Sequence, residues 1–143
     1  MTKVLGESLS YFKDKISECI KNNKSISVTT HIDCDGLTSG SIITKALVRA
    51  GANCTVRTSK EFSEKVVKSL KTDSRNFHII TDLGGGFAAN LDDTLGDDWI
   101  VLDHHQIPDK EFDNPNVINS WKYIIDGGND MCAGGMAYLA SMA

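Results

Sequence analysis

Three short stretches of this chain concentrate the side chains that can hold a metal ion. The first is His31-Ile32-Asp33-Cys34-Asp35-Gly36, the second Thr81-Asp82-Leu83-Gly84-Gly85-Gly86, and the third Asp103-His104-His105. Read as an extended loop, residues 31–36 point His31, Asp33 and Asp35 to one side by simple alternation. One imidazole and two carboxylates on one side suit a hard or borderline divalent cation, Mn²⁺ or Mg²⁺. A lone Asp before a helix needs no explanation beyond capping, but two Asp and a His in so short a run exceed what a cap requires.

Asp82 follows the apolar run Phe77-His78-Ile79-Ile80-Thr81. A carboxylate at the end of a buried strand must be paired, capped or metal-bound, because an isolated buried charge is costly. The glycines at 84–86 have neither the Walker nor the dinucleotide spacing, so they are read as a turn or as a place where backbone approaches a ligand. In the third stretch, adjacent histidines project differently, so one can bind metal while the other reaches a substrate. Asp103 can orient an imidazole from behind. Pooled on one rim, such groups can hold two cations about 3.5–4 Å apart and drive phosphoryl transfer to water. Ser39 and Ser41 have no evident base, so covalent catalysis is not indicated.

The elements that must position these groups follow from hydrophobic periodicity. Leu9, Phe12, Ile16 and Ile20 recur at helical spacing, which predicts a helix over 7–22. Strands are expected at 25–30, 54–58, 77–81 and 99–102, with a short fifth at 117–118. Helices are expected at 37–50, closed by Gly51, at 61–70, and over the small, apolar segment 131–143, which reads as buried throughout. Apolar strands alternating with helices imply a three-layer α/β/α fold around a mainly parallel sheet of about five strands. All three clusters then fall after strands, where open α/β sheets bind ligands. His78, alone inside a strand, is read as a core residue.

Composition sets outer limits. The chain has 143 residues, the size of one domain, and no run near the ~20 apolar residues of a membrane helix. Its first 15 residues lack the apolar core of a signal peptide, so a cytoplasmic location is expected. Four cysteines without a Cys-x-x-Cys pair read as reduced thiols. With 15 basic and 19 acidic residues, the net charge of -4 does not by itself suggest a nucleic-acid binder. Bound cations would invert that sign locally.

The order His31-x-Asp33-x-Asp35-Gly36, then Asp82, then Asp103-His104-His105 resembles the first three motifs of the DHH phosphoesterases, over roughly residues 25–143. The spacing of Asp33 two residues after His31 resembles the RecJ branch, single-strand-specific exonucleases, as does the tail 126–143 with its Gly135-Met136-Ala137-Tyr138 pattern. The resemblance implies one cation on His31, Asp33 and Asp82 and a second on Asp35, Asp82 and His104, with Mn²⁺ the leading metal and Mg²⁺ the alternative. It also implies that Asp103 supports a histidine and that His105 contacts the scissile phosphate of single-stranded DNA or RNA. The family's fourth motif, an Asp completing the second site, and its C-terminal substrate domain have no counterpart, so 1–143 is expected to be a truncated N-terminal DHH domain. Asp126 and Asp130 are read as turn residues, and Asn119-Ser120 stands where relatives often have Asn-Pro. Two other readings stay open: a non-catalytic RecJ-derived subunit associating with replication or repair proteins, and a phosphodiesterase of oligoribonucleotides or small nucleotides.

Overall fold

The apolar, β-branched runs form a single sheet at the centre of the molecule. In the computed structural model, which describes residues 4–73 and 76–143, the strands are β1 (Ile26–His31), β2 (Cys54–Ser59), β3 (Phe77–Thr81), β4 (Trp99–Asp103) and β5 (Val117–Asn119). All neighbours pair in parallel in the order β2-β1-β3-β4-β5. β3 and β4 are buried along their whole length, whereas β2, at an edge, is mostly exposed or half-buried. A parallel strand covered on both faces must be apolar nearly throughout, which is why the central runs are continuous rather than alternating.

Successive residues of one strand enter opposite cores. Val28, Ile79, Ile100, Leu102 and Ile118 pack with α1 (Leu5–Lys21), α2 (Cys34–Arg49) and α5 (Ala133–Met142). Ile80, Val101 and Val117 face the other way, onto α3 (Glu64–Leu70) and α4 (Ala88–Leu95). The result is the expected three-layer architecture. Because β1 is flanked by β2 on one side and β3 on the other, the chain reverses direction across the sheet between them. That switch point opens a crevice at the carboxyl ends of β1 and β3, directly at His31 and Asp82.

The structure departs from the sequence reading at several boundaries. Residues 31–36 are not an extended loop: α2 begins at Cys34, because the Asp33 carboxylate caps it by accepting from Gly36 N at 2.8 Å. The helix α4 lies outside the elements expected; its residues AANLDDTL carry two Asp and an Asn, and its apolar face is only Ala88, Leu91 and Leu95. α5 starts at Ala133 after Cys132, and it is not buried throughout, since Tyr138 is 55% and Met142 68% exposed. His78 is fully buried in β3, as expected. No helix among the described residues is long and apolar enough to cross a membrane. All four cysteines are free.

A chain of buried hydroxyls stitches α2 to the two central strands just beneath the crevice. Ser39 Oγ donates to Thr81 Oγ1 at 3.0 Å, Thr81 Oγ1 to Thr30 Oγ1 at 2.8 Å, and Thr30 Oγ1 to the Gly36 carbonyl. Thr30→Val keeps the shape but strands the Thr81 hydroxyl. It should cost about 1–3 kcal/mol in denaturant unfolding; a loss below ~0.5 kcal/mol would show that this chain does not hold the crevice together.

Candidate metal centre

His31 ends β1, and its two ring nitrogens have opposite duties. Nε2 lies 3.0 Å from the Lys60 carbonyl, which can only accept, so Nε2 carries the hydrogen. Nδ1 then faces Asp33 Oδ2 at 3.0 Å and Asp82 Oδ2 at 3.6 Å. His104, after β4, repeats the arrangement. Its Nδ1 donates to the Gly127 carbonyl at 2.7 Å, and Nε2 faces Asp82 Oδ1 at 3.2 Å and Asp35 Oδ2 at 3.3 Å. Each imidazole thus spends one N–H on the backbone and turns its other nitrogen toward two carboxylates. A neutral imidazole nitrogen and two carboxylate oxygens all present lone pairs, so each convergence calls for a proton or a cation at its centre.

Asp82 belongs to both convergences. The residue is 3% exposed, and its backbone sits at φ 63, a conformation that costs a non-glycine residue roughly 1 kcal/mol or more. Burial, and the Asp33 and Asp35 carboxylates beside it, push its pKa up to about 6. Ligand atoms of His31, Asp33 and Asp82 lie within 4.8 Å of one another, as do those of Asp82, His104 and His105. Asp35 stands next to the second group through His104.

The remaining groups are held from behind. Asp33 uses one oxygen to cap α2 and the other toward His31, so capping and clustering coexist, and the Gly36 N–H is the chief reason its carboxyl titrates below the usual range. Both oxygens of Asp35 accept backbone N–H groups from the start of α5, Ala133 and Gly134, each at 2.8 Å. A helix N-terminus favours a negative charge. Asp103 is 1% exposed; it accepts from His105 Nδ1 at 2.8 Å, from His104 N at 2.8 Å and from Gly85 N at 3.2 Å. Burial pushes Asp103 up, but these hydrogen bonds, His105 first, leave it below the usual range. The same hydrogen bond raises His105, which is mostly exposed and offers its far edge to the crevice. The backbone of the histidine pair is pinned by Asn119 Nδ2 on the His105 carbonyl and Trp121 Nε1 on the His104 carbonyl.

The structure therefore gathers all seven residues singled out in the sequence, though not by strand alternation. His31 and Asp33 go to one side of Asp82, while Asp35, in the first turn of α2, goes to the other. Asp126 is a turn residue, accepting from Gly128 N at 2.7 Å and Asn129 N at 3.2 Å. Sequence reasoning missed the backbone groups of Lys60, Gly127, Ala133 and Gly134. Only the Gly127-Gly128 pair hinted at one: a Cβ on Gly127 would lie 1.8 Å from the His104 carbonyl oxygen.

The fold recurs in known proteins. Residues 25–142 match the DHH family, N-terminal domain. This chain belongs to the DHH family. An uncharacterised protein of Methanocaldococcus jannaschii is 35% identical over 125 residues, covering 81% of this chain and 28% of that protein. The fold of the DHH domain superposes on RecJ from Thermus thermophilus in complex with Mn²⁺, with a TM-score of 0.73 and 23% identity over 94% of this chain and 20% of that one. It superposes equally on an exonuclease RecJ bound to manganese, with a TM-score of 0.74 and 22% identity over 99% of this chain and 37% of that one. The DHH chain thus spans between 20% and 37% of the length of these proteins.

Two outcomes follow for the metal-free protein. Asp82, with its raised pKa, favours the folded state below the usual carboxylate range, and this contribution is lost as pH rises through about 6. His105 acts in the same sense nearer neutrality, whereas Asp33 and Asp103, held low, favour folding once pH exceeds the ordinary carboxylate value. Thermal stability without metal should therefore peak at mildly acidic pH. Asp82→Asn should raise it at pH 7 by on the order of 2–3 kcal/mol while abolishing stabilisation by Mn²⁺; a wild-type optimum above pH 7 without metal would contradict this. Gly127→Ala, which must displace the carbonyl of His104, should weaken Mn²⁺ binding about 10–100-fold by calorimetry.

Proposed function

We propose that this DHH domain hydrolyses phosphodiester bonds in single-stranded DNA or RNA with two divalent cations, Mn²⁺ foremost, in the manner of a RecJ-like exonuclease. The observation that carries this reading is the pair of imidazoles on either side of buried Asp82, each with its second N–H fixed by a backbone carbonyl. Metal-ligating histidines are held in this way, and the carboxylate and imidazole donors suit Mn²⁺ or Mg²⁺. His31, Asp33 and Asp82 would hold one cation, and Asp35, Asp82 and His104 the other, with the two oxygens of Asp82 divided between them.

Cations bound there would supply an acidified water as nucleophile and would neutralise charge developing at phosphorus. The chain's own part is orientation. The Asp103 carboxylate raises the proton affinity of His105 and fixes its ring at the crevice, where its other N–H could donate to a phosphate oxygen. The α5 N-terminus fixes the Asp35 carboxylate, and the Gly36 N–H fixes that of Asp33. The His31-x-Asp33 spacing and the Mn²⁺ in both solved RecJ structures support the RecJ branch and that metal. The five ligand positions supplied by the first three motifs, His31, Asp33, Asp35, Asp82 and His104, are all occupied by competent donors, which favours the catalytic reading over the non-catalytic one.

Assays with Mn²⁺ should show release of nucleotides from single-stranded oligonucleotides, and Asp82→Ala should reduce the rate by about 10²–10³-fold or more. Calorimetry should detect two Mn²⁺ per chain. Hydrolysis confined to pyrophosphate or cyclic dinucleotides would overturn the exonuclease reading; undetectable Mn²⁺ binding would overturn the enzyme altogether and favour a replication or repair subunit.

A further inference from the structure

The crevice continues past the metal ligands into a cleft of about 290 Å³ whose other wall has no metal chemistry. That wall is Phe62, from the loop after β2, and Phe87, from the turn after β3. Their rings meet edge to face, with centroids 5.3 Å apart and an interplanar angle of 74°. Ile107, from the loop after β4, closes the end. All three are partly buried and pack on the apolar cluster beneath α3 and α4, so they are held in place while keeping open surface toward the cleft.

Between the aromatic wall and the metal wall runs the glycine turn that the catalytic reading left unexplained. Gly84 has φ +90, and a Cβ there would come within 3.0 Å of an Ile80 methyl and 3.4 Å of the Phe62 ring. A Cβ on Gly85 would lie 2.9 Å from Asp103 Oδ2. The floor is therefore bare backbone, with the Phe62 ring against one glycine and the carboxylate that orients His105 against the next. At the rim, Lys60 and Glu61 offset one another in charge, so this half of the cleft is not a second anion site.

We propose that this half of the cleft is a nucleobase pocket, in which the base of the nucleotide whose phosphate faces His105 rests against Phe62 and Phe87. The proposal rests on the phosphodiesterase reading above and deepens it. The volume sits at the lower end for a small-ligand site, which fits one nucleotide unit and not a stacked run. Aromatic contact accepts any base, because every base offers a π face, so the pocket recognises a nucleotide without selecting sequence. Inorganic phosphate or pyrophosphate would leave the apolar wall unfilled.

The test compares two probes on the full chain with Mn²⁺ present: thymidine 5′-monophosphate and 2-deoxyribose 5-phosphate, which share the phosphate and sugar and differ in the base. The wild type should bind the nucleotide about tenfold or more tightly, ~1.4 kcal/mol. Gly86→Leu adds a side chain where a Cβ meets nothing within 4 Å, so it should fill the cleft and remove the preference while Mn²⁺ affinity and melting temperature hold. Phe62→Leu should reduce nucleotide binding about tenfold and sugar phosphate binding little; if it unfolds the protein, the Gly86→Leu arm decides. Equal affinity for the two probes, no binding of either, or variants that weaken both alike would overturn the pocket. Base preference without hydrolysis of any oligonucleotide would keep the pocket and sink the proposed reaction, whereas hydrolysis without base preference would do the reverse.

Discussion

The arrangement depends on one buried charge. Asp82 ends a fully covered strand, in a left-handed backbone conformation, with two further carboxylates beside it. Ionising such a group is costly, which is why its pKa is pushed up to about 6, and no salt bridge to a Lys or Arg is found for it among the described residues. Instead the fold brings an imidazole to each of its oxygens. Below about pH 6 a proton offsets the cost of placing Asp82 there, and bound cations would offset it at higher pH. A site built in this way is strained when empty at neutral pH, and that strain would favour a cation, because whatever binds the native state and relieves repulsion there stabilises the fold.

The parallel sheet makes this possible. A doubly wound sheet places the ends of β1, β3 and β4 side by side, and each contributes charged groups without any long loop. The helices complete the site. α2 receives Asp33 as its cap and carries Asp35 in its first turn; α5 points its free N–H groups at Asp35 from across the site. Two helix N-termini at one rim stabilise carboxylates that would otherwise repel one another. The packing of α2 against α5 on one face of the sheet is thus as much a part of the site as the ligands are.

These contributions were unequally legible in the sequence. β3 and β4 announce themselves as apolar runs, and the groups that follow them are side chains, so strands, layers and the seven clustered residues could be read directly. What escaped reading was carried by backbone. The carbonyls of Lys60 and Gly127 and the amides of Ala133 and Gly134 come from segments 23 to 99 residues away from their partners, and any residue type supplies a carbonyl. α4 escaped for a different reason: three apolar positions among Asp and Asn give a weak helical period, and burial of Leu91 against the sheet overrides it. At 31–36 the clustered residues are those that strand alternation implies, but the geometry differs, because capping by Asp33 starts the helix at Cys34 and carries Asp35 to the other side of Asp82.

Charge accounts for the remaining feature, the apolar cleft. A chain with a net charge of -4 that gathers Asp33, Asp35, Asp82 and Asp103 at one rim would repel a polyanion. Cations bound there would reverse the sign, but only within the reach of the ions themselves, since screening in salt confines such fields to about 8–10 Å. Beyond that radius attraction to phosphates would do little to seat the proposed substrate, and Lys60 at the rim is matched by Glu61. For the proposed substrate, binding energy would then come largely from the part that carries no charge, and the face of a base is the largest such part. Phe62 and Phe87 line the same cleft as His31, Asp82 and His105 and would supply that contact.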